Sequence, residues 1–276
     1  MRAEWRYSCR SQPVPGPRVR PRSSRGRSRA VPASWFKTRD RVFGQLLDDP
    51  IGYGACAEYV VTSEEPKEGV LVRIPDGLDF ATAAALPTAA STALGAVDAV
   101  NCGSGEKLLI IGATGGTGVF ATRIAAARGV HVIATAAPQA DAVVRARSAQ
   151  DTVDYRARPV GEVVADRWPH GLDGIVDLVG DVAAFEAAAH LKDGRNAVSI
   201  DFAATEELQK SGRIRAVNHV HDDKLNRITE VGRMAVEGTL GIVVERRVPL
   251  GEAAQAFERN RRGGARGKTV IDMTAG

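Results

Sequence analysis

An apolar run, Leu108-Leu109-Ile110-Ile111, passes without a break into Gly112-Ala113-Thr114-Gly115-Gly116-Thr117-Gly118 and then into Val119-Phe120 and a segment of small residues. Few folds accommodate that order. A strand must deliver the chain to a tight turn, and the turn must open a helix that lies against the strand it has just left. Gly112 and Gly115 permit the turn, Gly116 lets backbone N–H groups approach a pyrophosphate at the helix N-terminus, and Gly118 lets the helix pack closely. Glycines also end strands and cap helices for purely conformational reasons, so the pattern takes its meaning from the residues downstream of it. The next apolar run, Val130-His131-Val132-Ile133-Ala134-Thr135, begins one helix length later and completes a βαβ unit. The reading is a dinucleotide-binding turn, with a merely structural turn as the alternative.

Further candidate strands, Thr152 to Tyr155, Gly174 to Val179 and Asn196 to Ile200, alternate with helix-like segments. Alternation of this kind predicts a parallel sheet covered on both faces, an α/β doubly wound domain of the Rossmann type. Upstream the pattern differs. Short β-like segments, Arg41 to Gly44, Cys56 to Val61 and Leu71 to Pro75, are separated by glycine and proline, as in a small irregular β domain. An Ala-rich helix signal runs from Asp79, a candidate N-cap, through Val100 with an interruption at Pro87. Helix-like segments Asp223 to Glu237 and Leu250 to Arg259 precede a last strand, Lys268 to Met273.

Charge distribution removes one tempting class. The chain carries +4 overall, yet residues 1–35 hold nine arginines against the single acid Glu4, so the remainder is mildly acidic at −4. Basicity belongs to an Arg/Pro/Ser-rich tail expected to be disordered, and not to a nucleic-acid-binding face. That tail is Arg-rich and acid-poor like a transit peptide, but its prolines spoil an amphipathic helix. With arginine outnumbering lysine thirty to seven, GC-rich coding or a shifted start accounts for such text better. No apolar run reaches the length of a membrane span. Cys9, Cys56 and Cys102 form no CxxC pair, which suits a reducing compartment and inert thiols. The expectation is a cytoplasmic protein whose partner is a small-molecule substrate, without nucleic acid or membrane, and whose assembly is a homodimer.

Taken in order, several blocks resemble the zinc-free quinone oxidoreductase (zeta-crystallin-like) branch of the medium-chain dehydrogenase/reductase superfamily over residues 36–273. Phe36 to Gly44 is similar to F-x-V-G-D-R-V-F-G, Ala57-Glu58-Tyr59-Val60 to A-E-Y-V, and Leu86 to Ala93 to L-P-x-A-x-x-T-A. Gly105 to Gly118 resembles the signature around A-A-G-G-V-G, Asp173 to Gly180 resembles V-D-x-V-x-D-x-V-G, and Gly267-Lys268-Thr269-Val270 resembles G-K-x-V. The resemblance implies a partial GroES-like domain from 36–97 and 245–276, and a Rossmann domain over 98–244. It implies hydride transfer from NADPH to a quinone or to the conjugated C=C of an enone or enoyl thioester. Residues 1–35 show no counterpart of the family's opening strands or its N-P-x-D-like segment, so the chain reads as N-terminally truncated. Arg123 stands where the signature has Gln, and Arg147-Ser148-Ala149-Gln150 where L-G-A-D is usual.

Among the candidate cofactor-binding residues, the loop supplies Ala113, Thr114, Gly115, Gly116, Thr117 and Gly118. At the end of the second strand an acid would bond the ribose hydroxyls of NAD and repel a 2′-phosphate, whereas here Thr135 leads to Ala136-Ala137-Pro138-Gln139 with no acid. NADP(H) is therefore the expected cofactor, with Thr135 and Gln139 near the ribose. Arg145 either reaches the phosphate or lies on a solvated helix face. Val179 and Gly180 come just after a strand's carboxyl end, where open parallel sheets hold ligands. By resemblance Tyr155 lies near the adenosine phosphate and Thr92 near the nicotinamide; a strand end and good helix packing are their structural alternatives. Asp177 reads as structural.

Neither the Cys and G-H-E ligand pattern nor the four-cysteine lobe of the zinc relatives is present, and His131, His170, His190, His219 and His221 do not combine with other ligands at suitable spacings. No residue earns a catalytic role, and conjugate reduction can take its proton from solvent. A catalytically impaired NADPH-binding remnant is the alternative of a different class. A third reading, from the likeness of Gly112 to Gly118 to G-A-T-G-x-x-G of atypical short-chain reductases, is weakened because the loop lies beyond residue 100 and no tyrosine has lysine four residues later.

Overall fold

Among the residues that the computed structural model describes (36, 37, 39–46, 69–219, 225–242, 244–262 and 267–273), the chain starts with an antiparallel pair of strands. Val42–Leu46 (β1) lies against Gly69–Arg73 (β2), with Val42 opposite Arg73. The arginine-rich tail, Cys9, Thr38, the Cys56 to Val61 segment with its A-E-Y-V motif, and His221 fall outside the described residues. Asp79 caps α1 (Phe80–Ala85), its carboxylate accepting from the amides of Ala81 and Thr82. Pro87, expected as an interruption, takes the first turn of a second helix, α2 (Pro87–Val100), where its missing N–H costs nothing. Small residues dominate α2, and it is buried on nearly every side.

Strand and helix then alternate through β3 (Lys107–Ile111), α3 (Gly118–Ala127), β4 (His131–Thr135), α4 (Asp141–Ala146), β5 (Asp151–Val153), α5 (Val160–Arg167), β6 (Leu172–Asp177), α6 (Val182–Phe185), β7 (Leu191–Ser199), α7 (Glu206–Lys210) and β8 (Arg215–Asn218). All six of these strands are parallel, in the order β5-β4-β3-β6-β7-β8. Leu109 stands in register with Ile133 on one side and Ile175 on the other. The chain winds one way from β3 to β5, then crosses back to β6 and winds the other way. That reversal opens a crevice at the carboxyl ends of β3 and β6. Along β3, Leu108 and Ile110 enter a core with Phe120, Ile124, Ile228 and Val231, while Leu109 and Ile111 enter the opposite one with Val164, Ile175 and Phe185. Fully burying such side chains contributes roughly 1.5–3 kcal/mol each, which is why the strands read as continuous apolar runs.

The chain closes with α8 (Leu225–Val236), β9 (Val244–Pro249), α9 (Ala253–Arg261) and β10 (Lys268–Asp272). β9 and β10 pair in parallel, and Val270 of β10 packs on Ala81, Ala84 and Ala85 of α1. Two strands, β8 and β9, are additions to the sequence reading. Arg215-Ala216-Val217-Asn218 is too short and polar to announce itself, and β9 carries Glu245-Arg246-Arg247. β5 ends at Val153, so Tyr155 lies beyond the strand expected to contain it.

A buried carboxylate ties together the strand ends that face the crevice. Asp177, fully buried at the end of β6, accepts from the amides of Val179 and Gly180 (3.1 Å each) and from Ser199 Oγ of β7 (2.7 Å). Ser199 Oγ in turn accepts from the amides of Asp201 (3.1 Å) and Ala203 (3.0 Å). Removing the carboxylate leaves three donors without an acceptor in a dry place. Asp177→Ala is expected to lower the unfolding free energy by about 3 kcal/mol, measured by urea denaturation. Cys102 is of another kind: burial, then the charges of Glu106 and Asp173, push its thiol up to about 12. At pH 8 about one such thiol in ten thousand is ionised. Mass-spectrometric mapping after iodoacetamide at that pH should find Cys102 unmodified in the native protein and alkylated in urea.

Candidate functional site

β3 hands the chain to Gly112, whose φ of +84° is open to glycine and strained for other residues. Its amide donates to Thr135 Oγ1 of β4 at 3.0 Å, and a Cβ on it would sit 2.7 Å from Val179 Cγ1 beyond β6. Gly112 therefore stands between the ends of the two strands that flank β3. The Gly115 amide returns to the Gly112 carbonyl at 3.1 Å, closing the turn. Gly118 meets the turn's own backbone: a Cβ there would lie 2.2 Å from Gly112 O and 2.6 Å from Ala113 Cα. Helix α3 can start in that place only because this residue has no side chain.

At the start of α3, Thr117 supplies no side-chain cap, and the amides of Gly116 and Thr117 find no acceptor among the described residues. Unsatisfied N–H groups and the helix dipole make this a positive, donor-rich mouth. Lys268 of β10 brings its amine to it. A Cβ on Gly116 would lie 2.9 Å from Lys268 Cδ and 3.3 Å from its Nζ. Its side chain is half-buried and has no ion pair or hydrogen bond among the described residues, and burial draws its pKa below the usual lysine range. A turn with no room for side chains, free amides and a cation lacking a counter-charge fit the pyrophosphate of a dinucleotide.

The expected residues are distributed around this turn. Ala113 and Gly118 are buried, and Thr114, Gly115, Gly116 and Thr117 are half-buried at the mouth. Thr135 anchors Gly112, while Gln139 is exposed in the short helical turn Pro138–Ala140 after β4. Tyr155 is 45% exposed two residues past β5, with the Arg156 guanidinium 5.6 Å from its ring centre. Val179 and Gly180 hang from Asp177 at the far side of the crevice. Thr92 is buried in α2, one turn before Gly95, which is covered by His219 and Arg227. Arg145 is committed elsewhere: its guanidinium bonds Asp141, the Gln150 carbonyl and Thr152 Oγ1. The phosphate role offered for it is thereby weakened.

Three features go beyond what the sequence declares. Lys268 was legible only as part of a strand motif, since its approach to Gly116 depends on where β10 docks. Val179, Val182 and Phe202 expose apolar side chains beyond β6 and β7, at 53%, 47% and 69%. Asp201 lies beside Gly180, in a loop with no motif. A cavity of about 370 Å³ lined by Trp168, His170, His190 and Lys192 opens at the other end of the sheet, where β6 and β7 begin. No group of three or more His, Cys, Asp or Glu is gathered to hold a metal among the described residues.

Comparison with known proteins bears on the fold. Residues 140–271 match the family model described as "Zinc-binding dehydrogenase". The chain is 29% identical over 269 residues to "NAD(P)H oxidoreductase RTN4IP1, mitochondrial" of Homo sapiens, covering 87% of this chain and 66% of that relative's length. The quinone oxidoreductase of Coxiella burnetii superposes with a TM-score of 0.71 at 26% identity, over 86% of this chain and 73% of the other. The Escherichia coli quinone oxidoreductase complexed with NADPH gives a TM-score of 0.71 at 19% identity, over 86% and 77%, a likeness of fold. With its Rossmann sheet, glycine turn and order of motifs, the chain resembles the quinone oxidoreductases of the medium-chain dehydrogenase/reductase superfamily.

Proposed function

We propose that this chain is an NADPH-dependent oxidoreductase that delivers hydride to a quinone or an activated alkene, an enone or enoyl compound, without zinc. The observation that carries the reading is the mouth of α3, where amides without acceptors among the described residues meet the Lys268 amine, which has no counter-charge among those residues. Two negative charges of a pyrophosphate would answer both. Bound there, the nicotinamide dinucleotide supplies the hydride. The protein's own groups hold and orient it. Thr135 fixes the turn, Asp177 fixes the loop of Val179 and Gly180, and the exposed faces of Val179, Val182 and Phe202 offer an apolar surface against which a flat ring can exclude water. The β4 end presents Gln139 and no acid, which leaves room for a 2′-phosphate. A conjugated acceptor spreads the charge it receives, so its proton can come from solvent and no metal is required. A homodimer in the cytoplasm remains the assembly and location we expect; none of the described helices is long and apolar enough to cross a membrane.

The second reading is a nucleotide-binding protein without turnover. Melting the protein with NADPH, NADH or neither separates these possibilities when combined with turnover on a panel of quinones and enones. The expected outcome is a rise in Tm with NADPH that exceeds the rise with NADH, together with turnover. Lys268→Gln should weaken NADPH by about 1.5 kcal/mol, roughly tenfold in Kd by titration calorimetry. An unchanged Kd would remove the lysine from the site.

A further inference from the structure

The two halves of the crevice carry opposite charge. On the β3 side stand the N-terminus of α3 and Lys268. On the β6 and β7 side stand two carboxylates, Asp177 and Asp201. Asp177 is consumed by three hydrogen bonds. Asp201 is not: its amide is held by Ser199 Oγ, but its side chain makes no hydrogen bond or ion pair among the described residues. Its Oδ2 lies 2.6 Å from where a Cβ on Gly180 would be, so the carboxylate rests directly on the loop that closes the crevice. Burial first, and the charge of Asp177 second, raise its pKa. His219, just past the end of the adjacent β8, and Arg227 stand against Gly95 of α2.

A dinucleotide in a doubly wound sheet lies across the crevice with one mononucleotide on each half. The glycine turn and the β4 end define the adenosine half, so the nicotinamide belongs to the half where Asp201 sits. Oxidised nicotinamide carries a positive ring; gaining a hydride, two electrons with one proton, makes it neutral. The redox states thus differ by one unit of charge next to this carboxylate. We propose that Asp201 is a positioning residue for redox state, whose negative charge makes the site prefer the oxidised cofactor over the reduced one and so sets the poise of the bound pair. The inference rests on the NADP(H) reading above. It adds a specificity that neither the glycine turn nor Lys268 can supply, because both meet the same phosphates in either state.

The test is the ratio of dissociation constants for NADP+ and NADPH, measured by titration calorimetry on the full chain at one pH and salt concentration. Adenosine and phosphate contributions cancel in that ratio, and the charge on the ring does not. Asp201→Asn should weaken NADP+ roughly fivefold while leaving NADPH within about twofold, and Asp201→Glu should keep the wild-type ratio. Equal changes in both constants, or no change in either, would overturn the role of Asp201 while leaving the dinucleotide site standing. Wild-type protein that binds neither nucleotide would overturn the NADP(H) reading and this inference together. An unaltered melting temperature of the nucleotide-free Asn variant checks that the loop is intact.

Discussion

Helix α3 begins where it does because Gly118 can lie against the carbonyl of Gly112, an approach that any Cβ would block. Much of the molecule's order depends on that contact. It brings the helix N-terminus to the end of the central strand, and so points its unsatisfied amides into the crevice where the winding of the sheet reverses. It also fixes the face of α3 that packs on α2, whose run of alanines is suited to the same close spacing. Residues with no functional group thus determine where the functional groups converge.

Buried polar groups hold the opposite wall. A carboxylate in a dry environment is tolerable when its lone pairs are answered, and Asp177 has three donors from two strand ends. The arrangement couples the β6 loop to the β7 loop, so that the backbone of Val179 and Gly180 cannot shift without disturbing Ser199. At the other end of the sheet Asp173 works similarly, accepting from the Lys107 amide and from Lys192 Nζ. Each end of β6 therefore carries a buried acid serving the strands beside it.

The legible parts of this fold were those whose cause is local. Apolar runs buried on both faces, the Asp79 cap, proline at the start of α2 and the glycine turn all declare themselves within a few residues. β8 did not, since four residues of mixed polarity acquire strand character only from pairing with β7. Asp177 was legible as a structural residue; which groups it binds was not. Lys268 could be recognised as part of a motif, yet its meaning depends on contact with Gly116, far away along the chain and brought close by the pairing of β10 with β9 and its packing on α1. Arg145 shows the reverse case: a cation at a suitable sequence distance from a phosphate site is occupied by Asp141, Gln150 and Thr152. Ser148, standing where the resembling sequences place glycine, adopts φ +77° all the same, so the backbone turn persists at a conformational cost.

The side chain of Lys268 is desolvated with no anion to answer it among the described residues, so its charged form is held at an electrostatic disadvantage. An incoming phosphate would then do more than add an attraction; it would relieve a penalty already present. Stability of the empty fold and affinity for the nucleotide consequently pull against each other at this position. A neutral, apolar side chain of similar length would favour the unliganded protein by the same physical cause that makes it a poorer binder. Selection for a sturdier empty molecule and selection for a tighter complex would diverge at this single residue of the last strand.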